Sequence, residues 1–222
     1  FGIDVINLSL GHPIMEPASR DPLVQAVEAA VRAGIVVVVS AGNNGTNPDT
    51  GKIGSFGINS PGNAPSAITA GAADTQHTIV RRDDRVAYFS SRGPTWYDAY
   101  AKPDVVAPGV SLVSDLPSRS TLAQQLPGAR VGSYFGSLSG TSMASGVTTG
   151  VVALVLEANR SYNYAGPSLT TNAVKAVVEY TATTLSDDSG SPYDALAQGT
   201  GEVNGDGAVR LAASIDTSMP VG

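Results

Sequence analysis

Five consecutive β-branched residues, Ile35-Val36-Val37-Val38-Val39, leave the chain few ways to fold. The run is too short for a buried helix and shows no polar alternation, so it predicts a strand covered on both faces. What precedes it sets the architecture. Asp21-Pro22 offers an N-cap followed by proline at the first helical position, and Leu23, Val24, Val27, Ala30 and Val31 then repeat at helical spacing up to Gly34. Asp4 to Leu10 reads as an earlier buried strand, so the opening forty residues form a βαβ unit in a parallel α/β sheet. In such sheets a site lies at the carboxyl ends of the strands, here Ser9-Leu10-Gly11 and Ser40-Ala41-Gly42-Asn43.

Thr46 to Pro65 is dominated by glycine, proline, asparagine and serine and reads as a surface loop. Short strands are expected at Ala67–Ala72, Val86–Phe89, Val105–Ala107 and Val110–Ser114. The pattern weakens from Asp115 to Phe135. A strongly apolar helix follows over Ser142–Glu157, then an amphipathic one over Leu169–Tyr180 and a short one after Asp206. With 222 residues, 42% of them hydrophobic, no domain boundary is required. Lysine and arginine total 13 against 19 acidic residues, which argues against nucleic acid as a partner. No uninterrupted apolar run approaches the ~18 residues that span a bilayer, so no membrane partner is expected. The absence of cysteine removes thiolate nucleophiles and disulfides, and only His12 and His77 offer imidazole chemistry.

The glycine-rich run Gly136 to Ala144 ends at a helix start, where free N–H groups and the positive end of the dipole suit a developing oxyanion. Ser142 there is a candidate nucleophile, although a serine at this place is usually only a cap. Asn43 could donate a side-chain amide to the same oxyanion or simply form an Asn-Gly turn. Five segments, Asp4–Gly11, Val36–Gly45, Phe89–Pro94, Lys102–Gly109 and Gly140–Ala144, resemble in order and wording the subtilisin-like serine proteases, most nearly the bacterial alkaline kind. The resemblance implies a three-layer α/β fold, a mostly parallel sheet with helices on both faces that lacks the family's N-terminal strands. Residues 1–222 would then be the serine and oxyanion-hole half of a catalytic domain.

By the same resemblance Ser142 is the nucleophile, and Asn43 with the Ser142 amide holds the oxyanion. Ser9, Leu10 and Gly11 form one wall of the primary specificity pocket and pair with substrate backbone, while Ser40, Ala41 and Gly42 form the other. Small residues on both walls suggest a roomy pocket for an apolar or aromatic side chain. Asp4 and Asp104 are expected as buried structural carboxylates, and no metal ligand is assigned. Calcium is conceivable at Asp187-Asp188-Ser189-Gly190 or Asn204-Gly205-Asp206-Gly207, but neither has a complete alternating-oxygen pattern. No cofactor is expected.

The family places its aspartate and histidine before the serine, and neither motif is found here. Phe1 is not preceded by a methionine or followed by a leader, so the chain reads as a piece of something longer. Gly146 stands where the family usually has proline. His12, beside the pocket wall, is the one internal candidate base. Three functions are therefore carried forward. The first is peptide hydrolysis with the missing aspartate and histidine supplied from outside the chain. The second is weak esterase action on activated esters by the chain alone, and the third is a non-catalytic module that self-associates. An N-terminal fragment or a second copy would cover the exposed sheet edge. The family also suggests secretion.

Overall fold

The computed structural model describes residues 2–163 and 166–219. Along the chain run β1 (Val5–Leu8), β2 (His12–Pro13), α1 (Pro22–Arg32), β3 (Val36–Ser40), β4 (Asn59–Ser60), β5 (Ile68–Asp74), β6 (Arg85–Val86), β7 (Val105–Pro108), β8 (Leu112–Asp115), α2 (Thr121–Gln125), β9 (Arg130–Val131), β10 (Phe135–Leu138), α3 (Thr141–Tyr162), α4 (Thr171–Thr181), α5 (Ala195–Gln198) and α6 (Gly205–Ser214). β1, β3, β5 and β7 lie side by side and all parallel, with Val5 opposite Val36, Val38 opposite Ile68 and Ala70 opposite Val105. β6 pairs antiparallel with β5 at Ala73 and Asp74, past the end of β3.

The valine run is covered from both sides, as its composition requires. Val37 and Val39 pack with Val24 and Val27 of α1, whereas Val36 and Val38 share a larger cluster with Val152 and Val155 of α3 and Val174 and Val178 of α4. Burying each valine is worth roughly 1.5–3 kcal/mol, so a charge at Val38 would cost most of what the layer supplies. α1 begins where expected. The Asp21 carboxylate accepts from the amides of Leu23 and Val24, Pro22 opens the helix, and Gly34 takes the left-handed conformation just past its end at φ 88°. α3 is long and apolar enough to cross a membrane by length and composition alone. In this fold it is the central core helix, packed on β1, β3, β5, β7 and α6.

One expectation needs correction. Val5–Leu8 is not a buried strand: it is half-buried to exposed, because among the described residues β1 has a strand neighbour, β3, on one side only. Where the pattern weakens, from Asp115 to Phe135, the chain holds α2 and β9, and β9 joins β10 and β8 in a separate antiparallel sheet.

Candidate active site

The carboxyl ends of β1, β3 and β7 converge on the start of α3. Gly140 is the N-cap residue, with φ 155° and ψ 160°, a combination that in practice only glycine adopts. Its amide donates to the Gly109 carbonyl at 2.8 Å, and the Gly109 amide to Ala73 at 2.9 Å, which ties the loop before the helix to the sheet. Ser142 is the second residue of α3 and half-buried. Its amide lies in the first turn, where N–H groups have no intrahelical acceptor and the dipole is positive.

Asn43 leaves the end of β3 and reaches the same turn. Its Oδ1 accepts from the Thr141 amide at 3.0 Å and from Thr141 Oγ1 at 3.0 Å, and that hydroxyl in turn accepts from the Gly42 amide at 3.1 Å. A backbone amide can only donate, so the atom facing Thr141 must be oxygen and Nδ2 must point the other way. A Cβ built on Gly140 would lie 3.4 Å from Asn43 Nδ2 and 3.7 Å from the Ser142 amide nitrogen. Both donors thus border one small space that is open because residue 140 has no side chain. The Asn-Gly turn reading does not describe this geometry. Thr141, buried and missed from the sequence, is the residue that orients the carboxamide.

The Phe89–Pro94 segment clamps the Asn43 loop from outside. Gly45 donates to the Phe89 carbonyl at 2.9 Å, and a Cβ on Gly45 would stand 2.2 Å from the Ser90 carbonyl oxygen, so the approach needs glycine. Ser91 donates its amide to Gly42, its hydroxyl to Gly57, and accepts from the Asn44 amide.

Ser9 and Ser40 sit at the ends of the neighbouring strands β1 and β3. Ser9 Oγ donates to the Ser142 carbonyl at 2.8 Å and lies 2.8 Å from Ser145 Oγ, while Asn7 Nδ2 donates to it at 2.9 Å. Ser40 Oγ donates to the Leu10 carbonyl at 3.3 Å, which joins the Ser9-Leu10-Gly11 segment to Ser40-Ala41-Gly42. Leu10 is exposed, and Ala41 is buried with its carbonyl accepting from the Asn59 amide. Nothing in the sequence marked Asn59, which lies between the two segments.

The two histidines are not brought to Ser142. His12 Nδ1 donates to the Pro13 carbonyl at 2.8 Å, Nε2 stands 3.9 Å from Asp21 Oδ2, and the residue pairs with Ser60 in the small sheet of β2 and β4. Burial alone would raise the Asp21 carboxyl, but hydrogen bonds from Ser60 Oγ and from the amides of Val24 and Leu23 hold it below its ordinary value. His77 is exposed in the turn after β5. Asp4 also departs from expectation: it is exposed and forms a two-pronged ion pair with Arg160, which lowers its pKa. Asp104 is buried as expected. Its Oδ2 accepts from the Thr69 amide and Lys102 Nζ, both at 2.7 Å, and its Oδ1 lies 2.9 Å from Lys175 Nζ. Burial pushes the Lys102 ammonium down to about 8 despite that partner. In the loops considered for calcium, Asp187 Oδ1 takes three donors from Ser189 and Ser191, and Asn204 caps α6.

A groove of about 550 Å³ opens beside Ser142, lined by Asn7, Ser9, Met143, Gly146 and Val147 on one side and by Leu112, Leu116 and Leu138 on the other. It lies next to the edge of β1 that has no strand neighbour among the described residues.

Residues 1–201 match the subtilase family, also called Peptidase_S8, and the chain belongs to that family. It is 39% identical over 209 residues to the serine protease AprX of Bacillus subtilis, covering 93% of this chain and 43% of that protein. With subtilisin DY of Bacillus licheniformis the identity is 36% over 186 residues, covering 84% and 52%. The chain therefore spans about half the length of these relatives. The solved structure of the prenylagaramide maturation protease PagA matches with TM-score 0.66 at 23% identity, over 95% of this chain and 62% of that one, a likeness of fold.

Proposed function

We propose that residues 1–222 are the nucleophile-bearing part of a subtilisin-like catalytic domain that cleaves peptide bonds through an acyl-enzyme on Ser142. The observation that carries the reading is the pair of donors, Asn43 Nδ2 and the Ser142 amide, bordering one space at Gly140. In the first step Ser142 Oγ attacks the scissile carbonyl, and the carbonyl oxygen gains negative charge in that space. Thr141 holds the Asn43 carboxamide in place beforehand, so little reorganisation is needed as the charge develops. A histidine oriented by an aspartate, both from outside these residues, takes the serine proton and returns it to the leaving amine. Water then releases the acyl group by the reverse sequence.

The groove beside Ser142 and the free edge of β1 support the delivery of that histidine by a segment packed there. A second copy on the same edge would explain the edge but not the missing base. The esterase reading fares less well, since His12 is held at Asp21 and Pro13. Substrate backbone would pair along Ser9-Leu10-Gly11 with its side chain between that segment and Ser40-Ala41-Gly42. Secretion rests on the family alone.

The test is peptide hydrolysis by the protein as its host makes it, by the 222-residue chain alone, and by Asn43→Ala and Ser142→Ala in the former. The reading expects cleavage by the host-made protein, none by the chain alone or by Ser142→Ala, and a kcat lowered ~10²–10³-fold in Asn43→Ala with KM little changed. An Asn43→Ala variant with unaltered kcat would overturn it.

A further inference from the structure

One side chain, Asn59, stands beside both Gly11 and Gly42 at the slot where the two segments approach, with the Ser60 carbonyl oxygen 2.9 Å from a Cβ on Gly11 and Ser91 Oγ 2.9 Å from a Cβ on Gly42. A Cβ on Gly42 would lie 3.0 Å from Asn59 Cγ and 3.0 Å from Asn59 Nδ2. From the opposite segment, a Cβ on Gly11 would lie 3.1 Å from Asn59 Cβ and 3.6 Å from the same Nδ2. The Asn59 backbone is fixed to both sides, by its amide to Ala41 and by the pairing of β4 with β2.

Its orientation is also fixed, by a chain of donors. The Gly57 carbonyl accepts from Asn44 Nδ2 at 3.1 Å, which sets the Asn44 amide, and the same nitrogen donates to Asn59 Oδ1 at 3.0 Å. Asn59 Nδ2 is therefore the atom left over, and among the described residues it has no hydrogen-bond partner. Of the hydroxyls nearby, Ser40 Oγ donates to backbone carbonyls, and Ser91 Oγ both donates and accepts. What faces the slot is an uncharged donor with no acceptor.

We infer that Asn59 is a specificity-determining residue that makes the primary pocket short and donor-lined, so that the side chain before the cleaved bond is asparagine or glutamine. The amide carbonyl of such a residue accepts from Asn59 Nδ2, which would otherwise be desolvated without a partner when substrate closes the slot. An aromatic ring would strand that donor and meet the carboxamide where the slot would have to continue. A carboxylate would be desolvated with no opposite charge to offset the loss. This replaces the roomy apolar pocket expected from the small wall residues alone. It rests on the proposed function, because the slot receives a side chain only if Ser142 attacks the bond beside it.

The test is cleavage-site profiling: the host-made protein digests a diverse peptide library, mass spectrometry reads the residue before each cut, and Ser142→Ala supplies the blank. The inference expects asparagine and glutamine enriched at least ~5-fold over phenylalanine and tyrosine, equivalent to one hydrogen bond of average strength. Asn59→Gly should move the preference towards large apolar residues. Asn59→Leu keeps nearly the same volume and removes the donor, so it should lose the amide preference. Cuts after aromatic residues in the wild type, or a profile unchanged by both substitutions, would overturn the inference while leaving Ser142 as nucleophile. Absence of any cut dependent on Ser142 would overturn the proposed function and the inference with it.

Discussion

Thr141→Val separates orientation of the oxyanion donor from its presence. Valine has the shape of threonine, and Thr141 is buried, so packing is conserved while two hydrogen bonds disappear. One is the 3.1 Å bond from the Gly42 amide, and the other the 3.0 Å bond to Asn43 Oδ1. The Gly42 amide is left buried without an acceptor, which costs about 1–3 kcal/mol. With a urea slope of about 1–3 kcal/mol per molar, the unfolding midpoint falls by roughly 1 M. Asn43 keeps only its bond from the Thr141 amide, and losing the second, worth about 0.5–1.5 kcal/mol, lowers kcat by roughly 2–10-fold. That is well short of removing the donor. Because Thr141 does not line the slot between Gly11 and Gly42, KM for a short peptide should stay within error. Thr141→Ser restores both bonds and should restore both midpoint and kcat. The reasoning fails if Thr141→Val turns over at the wild-type rate, or if Thr141→Ser is as slow as the valine variant.

Gly140→Ala should lower kcat by more than ~100-fold, because its Cβ would lie 3.4 Å from Asn43 Nδ2, in the space the proposed oxyanion would take, at a φ of 155°. Peptide turnover beside a circular-dichroism melt checks that the loss exceeds any loss of fold. Asp104→Asn should destabilise the protein by about 3–5 kcal/mol in urea denaturation, since it weakens the counter-charge of two lysines, one of them fully buried. The Glu202 carboxyl is raised to about 7, chiefly by burial and then by its neighbour Asp84, which is raised as well. Between the ordinary value of 4.5 and about 7 the folded state holds more protons than the unfolded one. The pair therefore contributes stability that is fully present below pH 4.5 and lost as pH rises through about 7. Glu202→Gln should flatten that part of the curve of urea midpoint against pH, and an unchanged slope would refute the assignment.

The layers were legible because they follow from local chemistry. The Asp21 cap, Pro22, Gly34 and the unbroken valine run each restrict the backbone by themselves, and the structure places α1 and β3 accordingly. The exposure of Val5–Leu8 was not legible, because a strand's burial depends on what lies beyond its edge. β9 is two residues long, Arg130–Val131, too short to impose a period, so its sheet with β8 and β10 escaped notice. At the candidate site, the glycine-rich surroundings of Ser142 and Asn43 made them candidates, and the resemblance to the family implied their roles. Thr141 and Asn59 were missed, since each acts through a partner, 98 and 15 residues away, that no spacing rule connects. Asp4 looked like a core carboxylate only while Arg160, 156 residues on, was unseen.

The most direct test of the central claim is intact-mass spectrometry after exposure to a serine-directed fluorophosphonate at neutral pH. It would be run on the 222-residue chain alone, on the host-made protein, and on Ser142→Ala in the latter. The account predicts one adduct per molecule on Ser142 of the host-made protein, none on Ser142→Ala, and labelling of the isolated chain slower by at least ~10²-fold for want of a base. Equal labelling of the isolated chain would place the base within these residues and contradict the account, as would an adduct that survives Ser142→Ala.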